Sequence, residues 1–143
     1  MSNFSLTKSQ QQALLQAARS AQLKAYAPYS NYKVGAAVLD EQGRIHSGCN
    51  VENAAYPEGL CAEAAALSAM VLASGSRALA VLVVGNGNAG GWTTPCGGCR
   101  QKLREFGAAE MPILVANATE LGPRYTLSAL LPESFGPDHL NAG

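Results

Sequence analysis

Two short segments of this chain hold residues able to do chemistry. One is Cys61-Ala62-Glu63; the other is Pro95-Cys96-Gly97-Gly98-Cys99. By itself the CxxC pair of Cys96 and Cys99 fits a zinc half-site, a thioredoxin-like redox pair or chance. Cys61 adds a third thiol. Three protein ligands with a fourth position open is the catalytic arrangement of zinc, whereas a structural site is closed. Glu63 follows Cys61 by two residues, close enough to touch whatever fills the open position without binding metal. A carboxylate beside a metal-activated water serves as general acid and base. Both segments stand where a loop runs into a helical pattern. Thiolates are favoured there, because a helix N-terminus carries about half a positive charge. Cys49 reads either as a small buried thiol or as a fourth ligand closing a structural site. His46 and His139 read as surface residues. Trp92, just before the second segment, either walls a pocket or packs.

The elements that must bring these segments together follow from periodicity. Thr7 and Gln10 form a capping-box signature, and Leu14, Leu15, Ala18, Ala21 and Leu23 recur near helical spacing. The pattern predicts a helix over 8–25, stopped by Pro28. Val34, Ala36 and Val38 alternate within a strand over 32–39. A turn at 40–43 and a second strand over 44–50 complete a hairpin. The stretch 62–73 is small or apolar all round, which predicts a buried helix. Leu79 to Val84 is a continuous apolar run, as in a strand covered on both faces. A loop over 85–91, a helix from Pro95 to Phe106 and a strand over 111–116 follow. Residues 117–127 are ambiguous, with 124–127 a candidate edge strand before a short helix over 127–131. The order predicts an α/β fold, with helices against a mixed sheet in one domain spanning 1–143. One helix and one strand separate the two segments, so two helix N-termini can meet at one end of the sheet.

Composition narrows the partners. A chain of 143 residues can bury a core without disulfide staples. Apolar residues make up 48% and charged residues 14%, which argues against disorder and suggests that part of the surface is hidden in an oligomer. Ten basic and ten acidic residues balance, so neither nucleic acid nor a membrane surface is an expected partner. No run reaches the roughly 18 apolar residues of a membrane span. Met1 to Gln12 is polar and lacks a signal-peptide core, so the expected localisation is cytoplasmic.

Five stretches in order carry a family resemblance. Tyr29-Ser30-Asn31-Tyr32-Lys33-Val34-Gly35-Ala36 is similar to the substrate loop of small cytidine deaminases. Gly48-Cys49-Asn50-Val51-Glu52-Asn53-Ala54 resembles their ribose-binding strand. Tyr56 through Glu63 and Pro95 through Gln101 resemble their two zinc motifs, and Leu130 through Pro137 their C-terminal signature. Zinc deaminases with three cysteine ligands and a non-ligand Glu are a known arrangement. The resemblance implies a three-layer α-β-α sandwich around a mixed sheet of about five strands. It implies one Zn²⁺ per subunit, with a bound water or hydroxide, held by Cys61, Cys96 and Cys99. Glu63 would be the proton shuttle in hydrolytic deamination of cytidine and 2′-deoxycytidine to uridine and 2′-deoxyuridine, with release of ammonia, in pyrimidine salvage. Asn50 and Glu52 would hold the ribose. Tyr32, where the family usually has Phe, would lie near the pyrimidine. Ala62 would read the base edge through its backbone. Phe135 would reach a neighbour's active site in a homotetramer.

One position departs from the pattern. Many family members have Arg after the catalytic Glu, hydrogen-bonded to the thiolates; here it is Ala64. Three thiolates on Zn²⁺ leave a net charge of −1, and Arg100, adjoining Cys99, is the first candidate to compensate. Competing functions remain open at this point. A related deaminase could act on an aminonucleoside antibiotic of the blasticidin S type or on a modified cytosine nucleoside. A catalytically silent zinc scaffold is a reading from another class, against which intact Glu63 speaks.

Overall fold

The computed structural model describes residues 4–87 and 91–140. Residues 88–90 of the expected 85–91 loop lie outside the described residues, as do residues 1–3 of the polar N-terminus. The elements run α1 (Lys8–Leu23), β1 (Gly35–Asp40), β2 (Ile45–Cys49), α2 (Ala62–Leu72), β3 (Ala78–Val84), α3 (Gly97–Phe106), β4 (Pro112–Ala116), β5 (Leu121–Thr126) and α4 (Leu127–Leu130). Short 3₁₀ turns cover Tyr56–Glu58 and Pro137–His139. The capping box is formed: the Gln10 amide donates to Thr7 Oγ1, and the Thr7 amide donates to Gln10 Oε1.

The sheet order is β2-β1-β3-β4-β5. Only β3 and β4 are parallel; the other neighbours are antiparallel. Alternation along the inner strands divides the core in two. Ala37, Leu39, Ala80, Leu82 and Val84 pack on Leu14, Leu15 and Ala18 of α1. Ala36, Val38, Val81 and Val83 face the other way, onto Ala66, Leu67 and Met70 of α2, Leu103 of α3 and Leu127 of α4. The result is the three-layer α-β-α sandwich. β3 lies at its centre, so its continuous apolar run is buried on both faces.

Several boundaries differ from expectation. β1 starts at Gly35, three residues late, because Asn50 takes over the backbone before it. Its Oδ1 accepts from the Val34 amide and its Nδ2 donates to the Tyr32 carbonyl. β5 starts at Leu121 and includes Pro123, which an edge strand tolerates. α2 is buried along one face only. Val71 is 51% and Leu72 88% exposed, since a single sheet covers one side of a helix. His46 is not a surface residue. Its Nε2 lies 2.8 Å from Oδ2 of the fully buried Asp40. Asp40 also accepts from the Gln42 and Arg44 amides and from Arg44 Nε, which fixes the hairpin turn. Burial alone would push the Asp40 carboxyl up. The bonds from His46, Arg44 and Gln42 outweigh it, and the carboxyl falls from 3.8 to about 2.

Candidate active site

Cys61 is the N-cap of α2 and Cys96 the N-cap of α3. Neither thiol caps its own helix, so both are left for another partner. Cys99 is buried in the first turn of α3. The two helices pack on the same face of the sheet, and the three Sγ atoms lie within 4.8 Å of one another. Tetrahedral zinc at a bond length of about 2.3 Å needs sulfurs roughly 3.8 Å apart, so the donor set fits that ion in number, softness and spacing. Cys49 is half-buried and is not part of the group.

Two of the three thiols, Cys61 and Cys99, are poorly stable as anions without a cation. Burial pushes Cys99 well above its ordinary range, and the Glu63 and Cys61 charges add to it. Burial also raises Cys61. For Cys96 burial acts in the same direction, but hydrogen bonds from the Cys99 amide and the neighbouring thiols outweigh it and lower the value. A positive ion would reverse the balance for Cys61 and Cys99 and favour the Cys96 thiolate further.

Glu63 stands in the first turn of α2 and is 4% exposed. Burial pushes its carboxyl up from its usual value, while hydrogen bonds from its own backbone amide and from Cys99, and least of all the Lys102 charge, draw it partly down. A carboxyl so placed holds a proton more readily than one in water, as a group that must both take and give protons requires. Lys102 shares a face of α3 with Cys99, three residues away. Arg100 does not face the thiolates. Its Nε donates to the Pro95 carbonyl, its Nη1 to the Leu130 carbonyl and its Nη2 to Thr94 Oγ1.

Cys61, Cys96 and Glu63 open onto a cavity of about 580 Å³, which Asn50, Glu52 and Ala62 also line. Glu52 Oε1 accepts from the amides of Tyr29 (2.9 Å) and Ser30 (3.2 Å), and Oε2 accepts from Ser30 Oγ. A carboxylate has about four acceptor sites, so roughly one remains for a ligand hydroxyl. These bonds, the Ser30 hydroxyl foremost, hold the Glu52 carboxyl below its usual value against its partial burial. Two of the expected site residues do not line this cavity within one chain. Tyr32 is 40% exposed, and its hydroxyl is bonded to Thr93 Oγ1, which is in the wall. Phe135 is 56% exposed and stacks on the His139 ring at 5.1 Å. Trp92 packs over Gly122 of β5, where an added Cβ would come within 2.6 Å of the indole. The wall also contains Ser30, Tyr56, Leu60 and Thr93, which the sequence did not single out. All lie within or beside the quoted motifs, and that proximity was the available signal.

Comparison with known proteins agrees with this geometry. The family model for the cytidine and deoxycytidylate deaminase zinc-binding region matches residues 8–115. A cytidine deaminase from Mycobacterium tuberculosis is 45% identical over 117 residues, covering 81% of this chain and 82% of the relative. One from Sporosarcina psychrophila is 38% identical over 128 residues, covering 90% and 93%. The crystal structure of cytidine deaminase from Burkholderia pseudomallei superposes with a TM-score of 0.80 at 40% identity, covering 87% of this chain and 98% of that one. Together with the three-cysteine cluster and the α/β sheet, these matches show that the chain belongs to the cytidine deaminase family of zinc-binding hydrolases.

Proposed function

We propose that this chain, folded as one domain, hydrolyses cytidine and 2′-deoxycytidine to uridine and 2′-deoxyuridine with release of ammonia. The carrying observation is the three-sulfur cluster within 4.8 Å beside a buried Glu63, at a cavity that also holds Asn50 and Glu52. Cys61, Cys96 and Cys99 would hold Zn²⁺. When bound, that ion supplies a Lewis acid that makes water a nucleophile near neutral pH.

The chain's own residues do the rest. Glu63 takes a proton from the attacking water and passes it to ring N3. It then takes the second proton of that water from the hydroxyl formed on C4 and delivers it to the departing amino nitrogen; the C4–N bond breaks, the C4 carbonyl forms, and one carboxyl serves both halves of the reaction. Burial of Ala62 beside it keeps water off the base edge, and the Ala62 backbone is the group that reads that edge. The remaining acceptor site of Glu52 and the second N–H of Asn50 orient the sugar. A free 3′-hydroxyl suits this pair and a polymer does not, which favours nucleosides over nucleic acid. Tyr32 contributes through its hydroxyl, bonded to Thr93 of the cavity wall. Exposed Val71, Leu72 and Phe135 support assembly as a homotetramer, with Phe135 of one copy reaching the cavity of another. No described helix is long and apolar enough to cross a membrane. A cytoplasmic salvage enzyme is the setting this reading implies.

The test is loss of cytosine absorbance when cytidine or deoxycytidine meets zinc-loaded protein, with Glu63→Gln as the control. The expected result is turnover by the wild type and a loss of about 10²- to 10⁴-fold in the variant at unchanged zinc content. No turnover of either nucleoside by zinc-replete wild type would reject this reading in favour of an antibiotic or modified-cytosine substrate.

A further inference from the structure

The two walls of the cavity come from segments far apart in sequence. One is the 29–34 loop, held against Glu52. The other is the 91–96 segment leading to Cys96. A continuous run of polar contacts joins them. The Glu52 carboxylate accepts from Ser30 Oγ, Ser30 Oγ accepts from the Tyr32 amide at 3.0 Å, and the Tyr32 hydroxyl shares a hydrogen bond with Thr93 Oγ1. Thr93 is itself confined. A Cβ at Gly85 would lie 2.1 Å from its Oγ1 and 2.5 Å from its Cβ, so the Thr93 side chain rests on the bare backbone of residue 85. The next residue, Thr94, accepts from Arg100 Nη2, and Arg100 Nε holds the Pro95 carbonyl at 2.7 Å. The far wall is therefore pinned to α3, which carries Cys99. The near wall is pinned to Glu52. Tyr32 and Thr93 close the connection between them.

We propose that Tyr32 and Thr93 form a hydroxyl latch that fixes the spacing between the sugar-binding carboxylate and the metal-binding loop, making both of them positioning residues. The proposal rests on the nucleoside reading of this cavity. It assigns a use to the hydroxyl that distinguishes Tyr32 from the phenylalanine usual in the family. A phenyl ring alone could pack beside a pyrimidine; it could not join the two walls. The latch acts on binding, because it sets the distance between groups that hold opposite ends of the substrate. It leaves Glu63 and the thiols untouched.

Tyr32→Phe and Thr93→Val each remove one hydroxyl and keep the bulk. Loss of one hydrogen bond of ordinary net worth corresponds to roughly a three- to tenfold change. The expected result for each variant is therefore KM for cytidine raised roughly three- to tenfold, with kcat held within about twofold. The double variant should be no worse than either single one, since both break the same bond. An independent readout is amide hydrogen exchange. Thr93→Val should speed exchange at residues 29–32 by about threefold or more, although the substitution lies some sixty residues away in sequence. An unchanged KM, single effects that multiply in the double variant, or faster exchange confined to the neighbours of residue 93 would overturn the latch. If the wild type fails to turn over cytidine, the nucleoside reading falls, while the exchange measurement still decides the latch.

Discussion

Gly48 in β2 faces α2 at closest approach. A Cβ there would lie 2.5 Å from the Ala66 amide nitrogen, 2.6 Å from the Ala62 carbonyl oxygen and 2.7 Å from Ala65 Cβ. Two of those atoms are backbone, so no side chain can swing aside. Ordinary contact begins near 3.4 Å, and Gly48→Ala therefore forces strand and helix apart by about 0.9 Å. Overpacking of this kind costs about 1–3 kcal/mol, or roughly 4–12 °C in Tm for a domain of this size. The displaced element is the one whose first turn carries Glu63 and whose N-cap is Cys61. A misplacement of about 1 Å at reacting groups costs on the order of 10²-fold in rate. We expect kcat/KM for cytidine to fall about 100-fold, together with the drop in Tm. The assay pairs thermal melting with nucleoside turnover at measured zinc content. Gly98→Ala is the reference, because its added Cβ meets only Lys102 Nζ, at 3.7 Å. A Gly48→Ala protein with wild-type Tm and activity within threefold would refute the backbone contact. Lowered Tm with full activity would show that strain at β2 does not reach the catalytic turn.

The remaining predictions concern charge and surface. Asp40 has a folded value of about 2 against 3.8 ordinarily, so as pH falls the unfolded chain takes up this proton first. Its contribution, on the order of 1–2 kcal/mol once discounted for the half-exposed Arg44 beside it, is whole above about pH 4 and lost as pH falls towards 2. Asp40→Asn should flatten stability against pH in that window, read by urea unfolding; an unchanged slope would argue against it. Arg100→Ala should keep its zinc and its pH–rate profile while losing about 2–3 kcal/mol of stability, because it braces Pro95, Thr94 and Leu130. A shifted profile would show that its charge does reach the thiolates. Leu72→Asp, at a residue 88% exposed, should yield a smaller species by sedimentation if that face is covered by another copy. An unchanged sedimentation coefficient would exclude Leu72 from the subunit contact.

The sequence was most legible where an element's pattern reported its own surroundings. The apolar run of β3 reflects a strand covered on both faces, and the Thr7–Gln10 box marks the start of α1 with local chemistry alone. It was less legible where a side chain from elsewhere decided the backbone. Residues 32–34 alternate like a strand, yet Asn50 holds two of their backbone groups and postpones β1 to Gly35. β5 was half hidden because an edge strand buries little. Its residues are mostly exposed, and Pro123 interrupts the usual signal. The apolar girth of α2 suggested complete burial, but one chain covers only the Ala62–Ala66–Met70 side. Leu72 and Val71 then belong to a surface that periodicity within one chain cannot assign.

The same distinction separates the parts of the site. Cys96 and Cys99 were legible because they stand three apart in one helical turn, where spacing dictates a shared direction, and Cys61 and Glu63, two apart, were legible by residue type beside that pair. Ser30 and Thr93 were not, because small hydroxyl residues are common in loops and their partners are remote. Arg100 shows how spacing can also mislead. Adjacency to Cys99 made it the first candidate to offset the thiolate charge, but consecutive helical residues point about 100° apart. That turn sends the guanidinium away from the sulfurs, to Thr94, Pro95 and Leu130. Three residues beyond Cys99 the helix comes round again to Lys102, whose charge is the least of the influences that draw the Glu63 carboxyl down. With Ala64 in place of the usual arginine, the positive ends of the two helices, at Cys61 and Cys96, are what the thiols meet directly.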